Sequence, residues 1–438
     1  MYFLEQMMSG TPDCETVEIL CTCSAGMEPL VRKELENFGV TLIRPFQGKL
    51  LFRVNIFRVP ELLSLKLVER LFWCLICKDV ELFENASSIT SLISGALNDV
   101  NWEYFSRVRR GNSWSNPECP SIFHPHPQLV EDIKAKLFVR LRPKYLIRYT
   151  TLVHKAAVRC LEKYMGFEFS KDGTLEINLM LSAGTLFLGL PLSKVPLSKR
   201  DYTTHSGLRS TSAAAVVRNS QVVDDDFRIC SILILILGVY FQGPLLLDPM
   251  CGKGILLCEA AIAGVGKRQK LVADDGGNKV EPSFVPYLIG SDSCAEQLQQ
   301  TNQNLLHLQS DSQLPTVLWD LVICSVERYP FREKIFDQLV CDLPFGKKYG
   351  AHTQDSETFE KAALRNLYYH CAVVIERSLS LDGRFSMLLS AELTDCMVDK
   401  LTALSFDVVE QISLLLGTTK AVLISGRGHR SDTHSKSG

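Results

Sequence analysis

A glycine-containing loop between an apolar strand and an apolar helix limits most strongly how this chain can fold. Residues 245–247 predict a buried strand and residues 255–263 an apolar helix, joined by Asp248-Pro249-Met250-Cys251-Gly252-Lys253-Gly254. Glycine lets backbone approach a ligand where a Cβ would collide. Backbone N–H groups in such a loop, before a helix N-terminus, favour a polar ligand at the strand's carboxyl end. Asp248 is placed to accept hydrogen bonds from an amine-bearing or cationic ligand.

The rest of the C-terminal half continues this alternation of strands and helices. The pattern predicts a mostly parallel sheet with helical crossovers over about the last 230 residues. Gly417-Thr418-Thr419 predicts a hairpin turn, so that the sheet ends in an antiparallel pair. The later predicted strands lie at residues 287–290, 336–341, 383–389, 408–416 and 421–425. The predicted fold class of this half is α/β with a mixed sheet.

The glycine loop differs from the two common phosphate-binding loops. Leu257 stands near the third glycine of a dinucleotide fingerprint, and the lysine–serine or lysine–threonine pair of a P-loop is absent. An acidic residue at the end of the next strand would hold ribose hydroxyls. Asp292 has this position, although the polar insert at residues 266–286 lengthens the usual spacing. Asp275 has the usual spacing, but the Gly276-Gly277-Asn278 that follows predicts no helix, which favours Asp292.

A second motif at a strand end suits an exocyclic amine on a base. Cys341-Asp342-Leu343-Pro344-Phe345-Gly346-Lys347-Lys348 follows the predicted strand 336–341. Asp342 and a backbone carbonyl held by Pro344 can accept the hydrogen bonds of such an amine, and Phe345 can stack on an unstacked base. Taken alone, the motif also fits a structural aspartate at a strand end. Its position after the glycine loop favours catalysis on a base.

The N-terminal half carries a different pattern. Residues 17–22 and 50–54 predict strands, residues 27–38 a helix closed by Gly39, and residues 59–76 a second amphipathic helix. The proline-containing stretch that follows, up to residue 128, predicts a long and partly disordered loop.

Order resumes after this loop. Residues 137–141, 175–179 and 185–190 predict strands, and residues 153–164 predict a helix. A modest basic stretch lies in this part of the chain: Arg140, Arg142, Lys144 and Arg148. On an exposed surface it is either a solvated face or a contact for a nucleic-acid backbone.

Charge, cysteine content and apolar runs narrow the class of protein. The formal net charge is −2, so any nucleic-acid contact must be local. The 15 scattered cysteines indicate reduced thiols and an intracellular protein rather than a disulfide framework. No signal peptide is visible, and the apolar run at residues 229–241 is too short to span a bilayer. Cys21-x-Cys23 and Cys74-x-x-Cys77 could form a zinc site, but the second pair lies in the predicted apolar helix, so no metal site is predicted.

The two C-terminal motifs together resemble those of the S-adenosylmethionine-dependent amino-methyltransferases. In these enzymes a D-P-x-C-G-x-G loop binds the cofactor and a [D/N]-P-P-[Y/F] motif holds the target amine. Leu343 stands where the first proline of the second motif usually stands. The resulting D-x-P-F-G form is similar to that of the THUMP-domain RNA guanine-N2 methyltransferases. Residues 23–30, 69–72 and 206–211 are also similar to that family.

The resemblance covers most of the chain outside residues 81–128 and implies a domain organisation. A ferredoxin-like part at residues 15–80 and a THUMP domain at residues 129–195 would form an α+β N-terminal half. A Rossmann-like class I methyltransferase domain would occupy residues 200–428. Residues 81–128 would be a variable, partly disordered loop, and residues 429–438 a disordered tail.

The resemblance also implies an activity, which is the formation of N2-methylguanosine in structured RNA. U6 small nuclear RNA and tRNA are the substrate classes, S-adenosylmethionine is the cofactor, and a small zinc-containing activator subunit is the partner. The nucleus is favoured over the cytoplasm. Adenine-N6 methylation, and RNA binding by a catalytically inactive methyltransferase fold, remain as alternatives.

Site residues follow from the motifs and the resemblance. The residues predicted to bind the cofactor are Asp248, Pro249, Cys251, Gly252, Gly254 and Asp292, with Ser325 and Val326 beside its adenine. The residues predicted for catalysis are Asp342, Pro344 and Phe345. The residues predicted to contact RNA are Arg140, Arg142, Arg209, Lys347 and Lys348.

Overall fold

The chain divides into two compact units, each with its own sheet. The computed structural model describes residues 16–81, 86–100, 102, 134–142, 144–165, 168–182, 184–220, 244–274, 286–310, 316–346 and 354–428. The N-terminal unit comprises Met1–Cys23 and Glu28–Leu197, and the C-terminal unit comprises Ser24–Met27 and Ser198–Gly438.

The N-terminal unit is built on one eight-stranded sheet. Its strands are β1 (Thr16–Thr22), β2 (Thr41–Phe46), β3 (Lys49–Asn55), β4 (Arg70–Asp79), β5 (Lys134–Leu141), β6 (Glu168–Phe169), β7 (Leu175–Ser182) and β8 (Thr185–Pro191). They lie in the order β2-β3-β1-β4-β8-β7-β5-β6. β5 pairs in parallel with β6 and β7, and the other neighbours are antiparallel. Because one sheet includes strands from both predicted parts, the division into ferredoxin-like and THUMP parts stays a prediction.

Three α-helices and four short 3-10 segments complete the described N-terminal unit. The α-helices are α1 (Glu28–Leu35), α2 (Ala86–Asn98) and α3 (Thr150–Met165), and the 3-10 segments are Glu36–Phe38, Ile56–Arg58, Pro60–Ser64 and Lys144–Tyr149. The predicted end of the first helix is confirmed, since Gly39 has a left-handed φ of 61°. Glycine adopts this conformation without the steric cost that a Cβ adds.

Two predictions for this unit are wrong. Residues 59–76 are not a helix, because Pro60–Ser64 forms a 3-10 turn and β4 follows. The apolar run in β4 is buried between β1 and β8, and a short apolar run of this kind does not distinguish strand from helix. Cys74 and Cys77 therefore lie on a strand. Within residues 81–128, predicted as loop, the structure contains α2, whose Ile89, Ile93 and Leu97 are buried at helical spacing. Residues 103–128 lie outside the described residues.

The C-terminal unit has a seven-stranded sheet in the order β11-β10-β9-β12-β13-β15-β14. Its strands are β9 (Leu245–Asp248), β10 (Tyr287–Asp292), β11 (Leu318–Ile323), β12 (Phe336–Asp342), β13 (Leu379–Ser390), β14 (Phe406–Leu416) and β15 (Thr419–Gly428). Its helices are α4 (Ser210–Ser220), α5 (Ile255–Asp274), α6 (Ala295–Gln309), α7 (Gln354–Ser378) and α8 (Thr394–Ala403), with a 3-10 turn at Ala391–Leu393. The predicted mixed sheet and closing hairpin are confirmed, because β15 is antiparallel to β13 and β14.

The order of the parallel strands determines where a ligand can bind. From β9 the chain continues to β10 and β11 on one side, and then returns to β12 and β13 on the other. Such a reversal opens a crevice at the carboxyl ends of the two central strands. Below this edge, Leu247, Leu339 and Phe385 are buried in the core. No described helix is long and apolar enough to span a membrane, and the apolar run at 229–241 lies outside the described residues.

Candidate active site

Three carboxylates lie at the carboxyl ends of three adjacent strands. Asp292 ends β10, Asp248 ends β9 and Asp342 ends β12, in the strand order β10-β9-β12. Gly290 pairs with Asp248, and Leu339 pairs with Leu247, so Asp292 and Asp342 each lie two residues beyond the level of Asp248. The structure therefore brings the ends of both sequence motifs to one edge of the sheet.

Asp248 is the most buried of these acids. Its side chain is fully enclosed, and Oδ1 accepts a hydrogen bond from the Met250 N–H at 3.2 Å. Oδ2 is buried and has no hydrogen-bond partner among the described residues. Burial raises the pKa of Asp248 well above its ordinary value, and the negative charges of Asp342 and Asp292 raise it further. Buried polar atoms in folded proteins nearly always have a partner, so Oδ2 fits a donor supplied by a ligand.

The glycines of the 248–254 loop have different surroundings. Gly252 has a φ of 53°, and a Cβ added there would come no closer than 4.0 Å to the Gln297 Oε1 atom. Gly254 has a φ of 72°, but a Cβ there would lie 2.4 Å from Thr301 Cγ2. The predicted close approach of Gly254 to a ligand stays a prediction, because the structure shows only that Thr301 fills the space beside this glycine. Helix α6 requires that glycine, whereas open space at Gly252 leaves room for a ligand.

Side chains of α6 hold this loop by its backbone. The Thr301 hydroxyl donates to the Gly252 carbonyl at 2.6 Å, and the Asn304 amide donates to the Lys253 carbonyl at 2.9 Å. Asp292 Oδ2 accepts from the Gly252 N–H at 3.0 Å. Sequence reasoning missed Thr301 and Asn304. The available signal was two polar residues, three positions apart, on the buried face of an amphipathic helix.

Asn304 also binds the segment that precedes α4. Its Oδ1 accepts from the backbone N–H groups of Thr204 and His205, at 2.9 and 3.0 Å. A short distance along the same segment, Arg200 and Tyr202 both donate to Glu259 Oε1 of α5, at 3.0 and 2.7 Å. Both side chains of the Arg200–Glu259 ion pair are buried. The segment is thus fixed against the elements that carry the glycine loop.

The 342–346 loop is fixed by two bonds. The Leu343 N–H donates to the Leu388 carbonyl at 2.8 Å, and the Leu343 side chain is fully buried. A proline has no N–H to make this bond, which accounts for leucine at this position. The Tyr368 hydroxyl donates to the Pro344 carbonyl at 3.1 Å. Phe345 remains half-exposed beside Asp342, which is also half-exposed.

Tyr368 is a site residue that sequence reasoning missed. Its hydroxyl also accepts from the Ser390 N–H at 3.1 Å, so it joins the loop after β12 to the end of β13. The side chain is almost completely buried, and burial raises the pKa of the phenol, which therefore stays a neutral donor. Its position within α7 is not marked by any motif.

The other residues predicted to bind the cofactor surround the same edge. Asp292 uses Oδ1 for the Cys294 N–H at 2.8 Å, and its backbone carbonyl accepts from the Cys324 N–H. The Val326 side chain packs in the core and Ser325 is half-buried, and their place beside an adenine stays a prediction. The Pro249 carbonyl accepts from the Ser291 hydroxyl at 3.1 Å. The thiol of Cys251 is buried, and burial raises its pKa.

The predicted RNA contacts fall in different parts of the molecule. Arg140 and Arg142 are exposed on and just after β5 of the N-terminal unit. Arg209 is exposed in the C-terminal unit, where its carbonyl accepts from the first turn of α4. Lys347 and Lys348 lie outside the described residues. The described residues contain no cluster of histidine, cysteine and acidic side chains that could hold a metal.

The part of the chain that carries this site is similar to known methyltransferases. The family model of the RMKL-like methyltransferase domain matches residues 232–410. The "U6 snRNA (guanine-N(2))-methyltransferase THUMPD2" of Mus musculus is 26% identical over 230 residues, which cover 52% of this chain and 33% of that protein. The Homo sapiens protein of the same name is 26% identical over 239 residues, covering 53% of this chain and 37% of that protein. The match thus spans about a third of the length of these relatives.

Solved structures extend the similarity to nearly the whole chain. TrmN from Thermus thermophilus superposes with a TM-score of 0.59 at 15% identity, over 94% of this chain and 99% of TrmN. A possible methylase from Clostridium difficile 630 gives a TM-score of 0.62 at 15% identity, over 95% and 99% of the two chains. The class I methyltransferase fold, and the resemblance to the guanine-N2 methyltransferases, are confirmed.

Proposed function

We propose that this chain, whose residues 232–410 match the RMKL-like methyltransferase domain, is an S-adenosylmethionine-dependent methyltransferase that forms N2-methylguanosine in structured RNA. One observation carries the proposal. A buried acid with a spare oxygen, Asp248, and an amine-accepting loop, Asp342 to Phe345, lie at neighbouring strand ends in the crevice of a methyltransferase fold.

The residues present fit S-adenosylmethionine. Asp248 Oδ2, buried and without a described partner, suits the ammonium group of the methionine moiety. The open space at Gly252 gives the cofactor access to the loop backbone. Asp292, at the next strand end, would hold the ribose, and Ser325 and Val326 would lie beside the adenine. Pro249, Cys251 and Gly254 shape the loop.

The cofactor supplies a methyl group that is already activated by its sulfonium sulfur, so the protein mainly has to align the amine with it. Asp342 accepts a hydrogen bond from the guanine N2 amine, orients the nitrogen lone pair and receives the proton that the methylated nitrogen loses. Phe345 stacks on the base. Pro344, with its carbonyl bound to Tyr368, fixes the loop that carries both.

The relatives' printed names support guanine N2 as the acceptor and U6 small nuclear RNA as the substrate. The substrate class tRNA is the second one that we propose. Arg140, Arg142, Arg209, Lys347 and Lys348 would contact the RNA backbone. Adenine-N6 methylation needs a similar acceptor for an exocyclic amine and is the alternative within the class. A nuclear location accompanies the U6 assignment.

The assignment is tested by incubating the purified chain with S-adenosylmethionine and either U6 RNA or tRNA transcripts, followed by mass spectrometry of the digested nucleosides. We expect N2-methylguanosine. N6-methyladenosine would replace the acceptor assignment. If the chain binds S-adenosylmethionine but yields no methylated nucleoside even with the small zinc-containing activator subunit present, the result would indicate a catalytically inactive RNA-binding protein.

We further propose that a small zinc-containing activator subunit binds at the outer strand β11. In the described sheet β11 is an edge strand, and Leu318 and Ile323 are 38% and 65% exposed on it. An exposed edge strand offers backbone groups with which a strand of another chain can pair. Ile323→Asp should prevent copurification with the coexpressed activator. Leu381→Asp, at a more exposed leucine on β13, is the matched control and should not. Equal recovery of activator with both variants would place it elsewhere.

A further inference from the structure

The C-terminal unit contains a cavity between helices α7 and α8 that neither motif explains. It has a volume of about 360 Å³. Its polar and aromatic lining residues are Arg365, Asn366, Tyr368, Tyr369, Cys396 and Lys400, and none of its described lining residues is a carboxylate. Aromatic rings next to cations and an amide are the side chains with which proteins bind unstacked nucleotides.

One helix separates this cavity from the 342–346 loop. Leu364 and Tyr368 lie four positions apart on α7, so they share one side of the helix. The Tyr368 hydroxyl donates to the Pro344 carbonyl at 3.1 Å, and a Cβ added to Gly346 would lie 3.2 Å from Leu364 Cδ2. Because an α-helix is about 10 to 12 Å across, a short segment of RNA can reach from the loop to the cavity.

The adjoining side of α7 forms one wall of the cavity. Arg365 and Tyr369 lie four positions apart, with Asn366 between them, so all three project from one side of the helix. All three are exposed. Arg365 forms no ion pair with another described residue. Its guanidinium is therefore available to an anion.

Helix α8 supplies the opposite wall. Asp342 of β12 pairs with Leu388 of β13, so β13 ends two residues beyond the level of Asp342. α8 begins at Thr394, shortly after that end. Its first two turns, which carry Met397 and Lys400, therefore start near the edge of the sheet that carries the 342–346 loop.

The Tyr369 ring is held in the cavity only by a weak contact. The residue is 45% exposed, and the Lys400 Nζ lies 5.1 Å from the centroid of its ring. A cation–π contact at an exposed site is weaker than the stacking of a base on an aromatic ring. A base can therefore take the place of Lys400 on the ring.

We propose that this cavity binds a nucleotide that flanks the target guanosine. Tyr369 stacks on its base, and the Asn366 amide bonds to the edge of the base. The Arg365 guanidinium binds two oxygens of its phosphate, and Lys400, displaced from the ring, adds a second positive charge. The assignment rests on the proposed function. It adds a determinant of which guanosine is methylated, because a neighbouring base is recognised together with the target.

The test measures the coupling between Tyr369 and single bases of an RNA probe. The probe is a fluorescein-labelled hairpin whose loop holds one guanosine between uridines, and each uridine is replaced in turn by an abasic residue. Affinities of wild type and Tyr369→Leu are measured by anisotropy without S-adenosylmethionine. We expect Tyr369→Leu to bind the intact hairpin about tenfold more weakly, which is within the range for stacking of one base. At one loop position the abasic residue should weaken wild type by a similar factor and leave Tyr369→Leu unchanged, because both changes remove the same contact.

Two matched variants separate stacking and phosphate binding from general damage. Tyr369→Phe keeps the ring and should stay within about twofold of wild type in affinity. Arg365→Gln should flatten the slope of log affinity against log salt by about 0.7, the value for one contact with a single-stranded phosphate. Arg377→Gln, further along the same helix, removes a cation that is paired with Glu333 at 2.9 Å and should leave the slope unchanged. Thermal unfolding checks that each variant folds.

The outcomes distinguish this site from the proposed activity. An unchanged affinity in Tyr369→Leu would overturn the site, as would independent losses from Tyr369→Leu and from the abasic residue at every loop position. Equal losses in Tyr369→Phe and Tyr369→Leu would overturn it as well, because stacking needs only the ring. Methylation of guanosine in RNA without the coupling would overturn the site alone. The coupling in a protein that methylates no RNA would overturn only the proposed activity.

Discussion

The two loops at the edge of the C-terminal sheet are fixed in opposite ways. In the 248–254 loop, side chains of α6 and Asp292 bind the backbone from one side. In the 342–346 loop, one backbone hydrogen bond and the Tyr368 hydroxyl hold the chain, and the side chains of Asp342 and Phe345 remain half-exposed. The first arrangement presents loop backbone to a ligand, and the second presents side chains. Substitutions in the first loop should therefore affect binding and stability, and those in the second should affect rate.

The largest effect is expected for Asp342→Ala. Loss of the group proposed to orient and deprotonate the amine should lower kcat at least about a hundredfold, while the Kd for S-adenosylmethionine stays near that of wild type. Asp337→Ala is the control, because it removes a carboxylate from the other end of β12, where Asp337 accepts from the Leu245 N–H. Single-turnover rates and calorimetry separate the two parameters. A kcat for Asp342→Ala within about tenfold of wild type, only about 1.4 kcal/mol of barrier, would remove Asp342 from catalysis.

The two glycines of the first loop should respond differently. Gly254→Val forces side-chain atoms into Thr301 and should lower the free energy of unfolding by at least about 1 to 3 kcal/mol. The same variant should lose cofactor binding. Gly252→Ala has open space for its Cβ and should cost only about 1 kcal/mol for the positive φ. Its Kd for S-adenosylmethionine should still rise, because the methyl group occupies ligand space. Urea unfolding and calorimetry measure both. A normal Kd in Gly252→Ala would place the cofactor away from this side of the loop.

A smaller effect on rate is expected for Tyr368→Phe. The substitution removes the hydroxyl that joins Pro344 and Ser390, and one such bond is worth about 0.5 to 1.5 kcal/mol. We expect kcat to fall up to about tenfold, with little change in the Kd for the cofactor. Tyr329→Phe, which removes a hydroxyl bonded to the exposed Arg332 carbonyl, is the control. If the Kd for the cofactor and kcat change by the same factor in Tyr368→Phe, the 248–254 and 342–346 loops are not held independently of each other.

The smallest effect is expected for Asp248→Asn, in the difference between its thermal stability and that of wild type, measured without ligand. Because the folded-state pKa of Asp248 is raised, folding of the wild type is favoured when the acid is protonated. That contribution declines as the pH rises from the ordinary pKa of about 3.9 through the raised value. The neutral amide carries no such penalty, so the Tm of the variant should exceed that of wild type by a margin that grows over this range. Parallel Tm profiles would contradict the burial argument. The variant should nevertheless bind S-adenosylmethionine more weakly.

Local patterns were enough to predict the parts of the site that are continuous in sequence. Both loops follow apolar strands whose lengths and flanking glycines or prolines mark their ends, so Asp248, Asp292 and Asp342 could be placed at one edge. The residues that hold those loops are distant in sequence. Thr301 lies 49 residues from the Gly252 carbonyl that it binds, and Tyr368 lies 24 residues from the Pro344 carbonyl that it binds. A single sequence does not show such pairs.

The failures of strand prediction in the two units have a related cause. The run in β4 is buried on consecutive positions from Leu71 to Cys74, so both faces of the strand are covered there. Only its pairing with β1 and β8 distinguishes it from a buried helix. In the C-terminal unit, β11 was missed because its burial pattern is interrupted by exposed Leu318 and Ile323. In both cases tertiary surroundings, rather than local preference, decide the conformation.

With the cofactor bound at the glycine loop, as proposed, Asn304 makes cofactor binding and the 200–207 segment thermodynamically dependent on each other. A single amide side chain binds the Lys253 carbonyl in one direction and the N–H groups of Thr204 and His205 in another. If cofactor binding orders the Lys253 backbone, less entropy remains to be lost when the segment is ordered. Such coupling is reciprocal, so a macromolecule that orders the segment must raise the affinity for the cofactor by the same factor. Removing the amide should make the two ligands bind independently.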